Sequence, residues 1–129
     1  MILIDTHVLL WLANEPAKLS KKASKAIREA SQETGLAICA ITLWEIAWLA
    51  THRRLQITGT VESFVERISS RTVVSPITAK VAALANQFSD DYSQDPCDRL
   101  IGATALAQGM ALVTKDANIR KCAQIQTIW

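Results

Sequence analysis

Glycine is scarce. The 129 residues include only four, too few for a glycine-rich loop that cradles a nucleotide phosphate. Histidine is scarcer still, with only His7 and His52. The pair shows no ligand spacing and no nucleophile–base–orienter set, so both read as structural or surface residues. The three cysteines, Cys39, Cys97 and Cys122, are an odd number, widely spaced, with no C-x-x-C pair and no disulfide framework. That usage suits a reducing cytosol, so a cytoplasmic location is expected. No apolar run approaches the roughly 18 residues of a membrane span. Met1 leads straight into Ile2-Leu3-Ile4 without a basic start or cleavage site, so no signal peptide is expected. Charge of one sign is lacking too: a net charge of +2 is too weak to argue for nucleic acid by itself.

What is present is a globular composition, half hydrophobic and a fifth charged, in a length that suits one domain spanning 1–129. Short apolar runs at 2–4, 36–40, 72–74, 111–113 and 125–128 read as strands. Between them lie segments with helical spacing. Residues 6–13 form the first, broken by Asn14-Glu15-Pro16. Ser20 can cap a second, running to about residue 30. Thr42 opens a third, running to about His52, and Gly59-Thr60 a fourth. Residues 78–88 follow, then a polar loop at 89–94. A helix then runs from Asp95-Pro96 to Gln108, stopped by Gly109, and a short one covers 116–122. Strands alternating with helices predict an α/β fold, with a largely parallel sheet of about five strands covered on both faces. Sites in such sheets form outside the carboxyl ends of the strands.

Acids recur at those ends. Asp5 follows the first strand, Glu45 lies in the helix after the second, and Asp116 follows Leu112-Val113-Thr114-Lys115. Asp98 stands in the first turn of the helix opened by Asp95-Pro96. Helix starts favour acids as caps, and Thr42-x-x-Glu45 matches a capping box, so each acid alone reads readily as a cap. Capping does not explain why acids recur where Ser, Thr or Asn serve about equally well. Carboxylates packed together repel one another, and a divalent cation relieves this. Oxygen-only ligands suit Mg²⁺ or Mn²⁺ rather than Zn²⁺.

Four segments in order, Ile4-Asp5-Thr6-His7-Val8-Leu9-Leu10-Trp11, Trp44-Glu45-Ile46, Asp95-Pro96-Cys97-Asp98-Arg99-Leu100-Ile101 and Leu112-Val113-Thr114-Lys115-Asp116, carry a family resemblance, and the closing Ile125-Gln126-Thr127-Ile128-Trp129 fits it. The chain resembles PIN-domain ribonucleases of the VapC toxin type over essentially its whole length. The resemblance implies a PIN-like three-layer sandwich and a divalent-metal-dependent endoribonuclease that leaves 5′-phosphate and 3′-hydroxyl ends. Its catalytic acids would be Asp5, Glu45, Asp98 and Asp116, with Asp5, Asp98 and Asp116 on Mg²⁺ or Mn²⁺. Asp95 matches a recurrent acid of the motif and, with Thr6 and Thr114, is expected in support. Arg99 and Lys115 are candidate phosphate contacts, while Cys97 falls at a variable position and is given no chemistry. The implied partners are an RNA substrate, a small cognate antitoxin and a second copy of the chain, with no membrane.

Other functions remain to be weighed. A phosphoreceiver domain needs an acceptor Asp after its central strand, but Val73-Val74 leads to Ser75-Pro76. A non-catalytic PIN-like interaction module would lack acids that this chain keeps. A PIN nuclease of RNA processing outside toxin–antitoxin systems differs in lacking a neighbouring antitoxin gene. Trp44 and Trp48, four apart on one helical face, read as core, with a partner-binding groove as the sharper alternative. Arg53, Arg54, Arg67 and Arg71 read as a solvated face.

Overall fold

The computed structural model describes residues 1–129. Five strands, β1 (Ile2–Ile4), β2 (Leu36–Cys39), β3 (Val73–Ser75), β4 (Leu112–Val113) and β5 (Thr127–Ile128), form one sheet in the order β3-β2-β1-β4-β5. Every pairing is parallel. Seven α-helices connect them: α1 (Thr6–Asn14), α2 (Lys21–Glu33), α3 (Ala40–Thr51), α4 (Val61–Ser69), α5 (Ala79–Gln87), α6 (Pro96–Gln108) and α7 (Ala117–Arg120). A 3-10 turn at Pro16–Lys18 bridges α1 and α2. The α/β sandwich with a parallel central sheet is therefore as expected.

Strand periodicity divides the core. Leu3, Ala37, Cys39 and Leu112 point to one face, where they pack with Val81, Phe88, Ile101 and Ile119. Ile4, Leu36, Ile38 and Val113 point to the other, against Val8, Leu9, Ile27, Ile46 and Phe64. Many of these side chains are fully buried, each worth about 1.5–3 kcal/mol of transfer free energy. The sheet order has one reversal: β1 is followed outward by β2 and β3 on one side, while β4 and β5 lie on the other. The carboxyl ends of β1 and β4 thus flank a topological switch point, where such sheets open a crevice.

Local chemistry explains most helix starts. Ser20, Thr60 and Thr78 accept the backbone N–H three residues on, at 3.0, 3.1 and 3.2 Å. Gly109 closes α6 at φ 64°, a left-handed position open to glycine. Three expectations need correction. Strand β2 runs directly into α3, which begins at Ala40 with Cys39 as a cap lacking any side-chain bond. Thr42 is therefore fully buried inside the first turn rather than a cap, and Thr42-x-x-Glu45 is no capping box. Trp44 and Trp48 are 55% and 38% exposed, so they are surface and not core.

The third correction concerns residues 89–94, which are not simply polar. Tyr92 is buried and stacked on Phe88, with centroids 4.3 Å apart, and its hydroxyl donates to the Asp98 carbonyl at 2.9 Å. Gly102 of α6 makes room for this ring: a Cβ there would lie 2.9 Å from Tyr92 Cζ and 3.1 Å from Ile125 Cδ1. Gly102→Ala is expected to destabilise the fold by about 1–3 kcal/mol through overpacking, read as a lower urea midpoint with unchanged m-value. An unchanged midpoint would show that the ring yields freely.

Candidate active site

Register brings the first contacts together. Parallel pairing of Leu3 with Leu112 and Ile4 with Val113 sets Asp5 beside Thr114 one step further on. The Thr114 hydroxyl donates to Asp5 Oδ2 at 2.7 Å and accepts the Asp116 N–H at 3.1 Å. Asp5 Oδ1 accepts the N–H of Thr6 at 2.7 Å as it caps α1. Behind it, the buried hydroxyls of Thr6 and Thr42 lie 3.0 Å apart and tie the start of α1 to α3.

Asp5, Glu45, Asp95, Asp98 and Asp116 all line one open pocket of about 340 Å³, together with His7, Val8, Trp11 and Lys115. The four expected acids thus converge from β1, α3, α6 and the end of β4. Asp95 joins them. Capping and pocket roles coexist, because each cap uses one oxygen. Asp95 Oδ1 accepts the N–H groups of Cys97 and Asp98 at 2.7 and 3.3 Å. Asp116 Oδ1 accepts those of Asn118 and Ile119 at 2.9 and 3.0 Å. The second oxygen of each has no protein donor. Asp98 Oδ2 takes the Ser93 hydroxyl at 2.7 Å, leaving Oδ1 free.

Electrostatics follow from this crowding. Burial pushes the Asp5 carboxyl above its ordinary range, partly offset by the Thr114 hydroxyl. Burial also raises Glu45, against the opposing Thr6 hydroxyl and His7. Asp98 is pushed up to about 6, by burial first and also by the charges of Asp5, Asp95 and Asp116. Burial lifts the Cys97 thiol to about 12, so it stays protonated at neutral pH and is no nucleophile. No three His, Cys, Asp or Glu side chains already form a closed ligand cluster. The donor set nonetheless fits a hard divalent cation. It is made of carboxylate oxygens with spare lone pairs, and their mutual repulsion is what such a cation relieves.

Two expected residues part company. Lys115 stays at the pocket, with Nζ 5.8 Å from the Trp11 ring centroid. Arg99 turns away: its guanidinium donates to the carbonyls of Ala85, Phe88 and Ser89 at 3.1–3.3 Å, holding the end of α5. It is a structural strap rather than a phosphate contact. Sequence reasoning missed His7, Trp11 and Ser93. The signal for the first two was their spacing, since residues two and six positions after Asp5 return to the same side of α1.

Comparisons with known proteins show the family and the fold. The PIN domain family model matches residues 2–125. Ribonuclease VapC22 of Mycobacterium tuberculosis is 41% identical over 119 residues, 92% of this chain and 89% of that protein. Among solved structures, VapBC2 from Rickettsia felis, bound to a promoter DNA fragment, superposes with a TM-score of 0.75 at 16% identity, covering 98% of this chain and 97% of that one. VapBC-1 from nontypeable Haemophilus influenzae gives a TM-score of 0.70 at 17% identity, covering 98% and 96%. No helix is long and apolar enough to cross a membrane.

The raised carboxyl of Asp98 predicts a pH dependence. A group that holds its proton more tightly when folded adds stability fully present below its unfolded pKa of about 4, and lost as pH rises through about 6. In EDTA, Tm is expected to fall as pH climbs from about 4 to about 7, and Asp98→Asn should flatten that fall. Added Mg²⁺ should restore the wild type and not the variant. An Asp98→Asn protein less stable than wild type at neutral pH in EDTA would overturn this.

Proposed function

The chain belongs to the PIN-domain family, and from that premise we propose that it is a divalent-metal-dependent endoribonuclease and the toxin half of a toxin–antitoxin pair. Convergence of Asp5, Glu45, Asp98 and Asp116 on one pocket carries the catalytic half of this assignment. The 41% identity to a ribonuclease across nearly the whole chain supports the substrate class.

Asp5, Asp98 and Asp116 are the proposed ligands of a Mg²⁺ or Mn²⁺ ion, with Glu45 closing the acid set. Such an ion supplies an activated water and neutralises charge on the phosphodiester. The chain's own residues do the positioning. Thr114 and the Thr6 amide fix both Asp5 oxygens, so this carboxylate enters the reaction in one orientation. Ser93 holds one oxygen of Asp98, and Asp95 fixes the start of the helix that carries it. Glu45, its carboxyl raised by burial, stands on the pocket wall where it can accept a proton from a reacting group. Lys115 offers the pocket a cation for the phosphate.

The partner half of the assignment is supported by relatives described as VapBC complexes, by a groove that reaches down to the core, and by exposed tryptophans. A groove of about 1010 Å³ between α1, α2 and α4 is lined by Leu9, Leu12, Ile27 and Phe64, with Arg28 and Arg67 at its rim. Trp44 and Trp48 add an exposed face on α3. A cognate antitoxin and a second protomer are the proposed occupants of these surfaces.

Purified protein freed of antitoxin, incubated with structured and single-stranded RNAs, should cleave in Mg²⁺ or Mn²⁺ and not in EDTA. Asp5→Asn or Asp98→Asn should lower the rate on the order of a thousandfold, with calorimetry showing weakened metal binding. Cleavage that survives in both variants, or in EDTA, would sink the carboxylate mechanism. Arg99→Ala provides a contrast: reduced thermal stability with metal affinity retained.

A further inference from the structure

The acid pocket has a second kind of wall, and we propose that this wall is a binding track for single-stranded RNA beside the scissile phosphate, with the Trp11 indole as its stacking platform. The proposal rests on the ribonuclease assignment above and adds how substrate is held.

His7 and Trp11, one turn apart on α1, line the same pocket as the carboxylates. Their rings are 6.2 Å apart, and Trp129, just after β5, approaches Trp11 at 6.0 Å. Core packing does not account for Trp11. It is only half-buried and belongs to neither apolar cluster, whereas its neighbours Leu12 and Trp129 pack against one of them. Cations lie over the indole instead, where a stacking base would displace them toward its phosphates. Lys115 Nζ lies 5.8 Å and Lys18 Nζ 5.9 Å from its centroid. Lys115 forms no ion pair despite the five carboxylates of the pocket. Lys18 pairs with Glu15 at 2.8 Å, but both side chains are more than half exposed, so the pair is weak and readily exchanged for a phosphate.

This arrangement answers a need that the acids create. A pocket of carboxylates repels an RNA backbone, so affinity must come from groups at its rim. Aromatic rings interleaved with lysines supply it without reading sequence: a base stacks on the ring and the neighbouring phosphates meet the ammonium groups. A duplex, whose bases are already stacked on each other, cannot use such a platform. The pocket's apolar component is small and specific, Val8 and Trp11 alone, which suits a single splayed base rather than a protein helix.

The test uses the full chain in EDTA, where cleavage is suppressed, with a mixed-sequence single-stranded oligoribonucleotide and the same strand annealed to its complement. Binding should quench tryptophan fluorescence, favour the single strand, and lose most of its quenching in Trp11→Phe while affinity stays near wild type. Trp11→Leu, which keeps apolar bulk, should weaken single-strand binding by about tenfold and, in Mg²⁺, raise KM more than it lowers kcat. Lys115→Gln should reduce the slope of log K against log salt by about 0.7, one phosphate contact on a single strand. Wild-type RNA affinity and KM in Trp11→Leu would overturn the track and leave the nuclease intact. So would a Trp11→Leu protein that binds RNA normally but loses its co-expressed antitoxin. An unsubstituted protein that neither binds nor cleaves any RNA would remove both.

Discussion

Burial of the Asp5 carboxylate at the end of the central strand is the constraint on which the rest of the site depends. A charge taken this far from water is costly unless hydrogen bonds or a cation compensate it. The protein supplies two donors, the Thr6 amide from its own helix and the Thr114 hydroxyl from the neighbouring strand. The second exists only because β1 and β4 pair in one register. A slip of that pairing would remove the Thr114 hydroxyl and leave half of the carboxylate unpaired. Sheet geometry and site chemistry are therefore one requirement, and the pocket gathers an excess of carboxylates that suits it to a cation.

The division of labour between carboxylate oxygens extends this economy to the helix starts. Asp95 and Asp116 each commit one oxygen to two backbone amides and keep the other free of protein donors, and both residues line the pocket. A Ser or Thr could cap as well but would have no second acceptor to offer. Recurrence of acids at these positions thus follows from two demands met by one residue type. The same logic separates Arg99 from Lys115. Arg99 sits one position past a pocket acid, but a helical residue there projects about 100° away, onto α5.

Much of this is legible in the sequence because it is local. Alternating apolar runs mark the five strands. Ser20, Thr60, Asp95-Pro96 and Gly109 mark helix boundaries by chemistry that acts within four residues. The acids are legible as a set because parallel strands all present their carboxyl ends to one edge. What is not legible depends on which element packs against which. Thr42 reads as a cap until β2 is seen to enter α3 without a linker. Tyr92 reads as part of a polar loop until Gly102 is seen to leave space for its ring. Trp44 and Trp48 read as core by hydrophobicity, yet α3 turns that face outward. His7 carries no ligand pattern in sequence, and only the pocket lining shows it beside the acids.

The bond between Thr114 and Asp5 joins residues 109 positions apart. A chain emerging from the ribosome therefore presents Asp5 and Glu45 long before, and Asp98 shortly before, Thr114 and Asp116 exist to complete the set. Strands β4 and β5 must dock on the finished side of β1 before the crevice has its second wall. Long-range parallel pairing of this kind forms late, after the loop-closure entropy has been met. The complete acid pocket is therefore a property of the finished sheet: a fragment that ends before β4 carries Asp5, Glu45 and Asp98 but lacks the strand that orients Asp5.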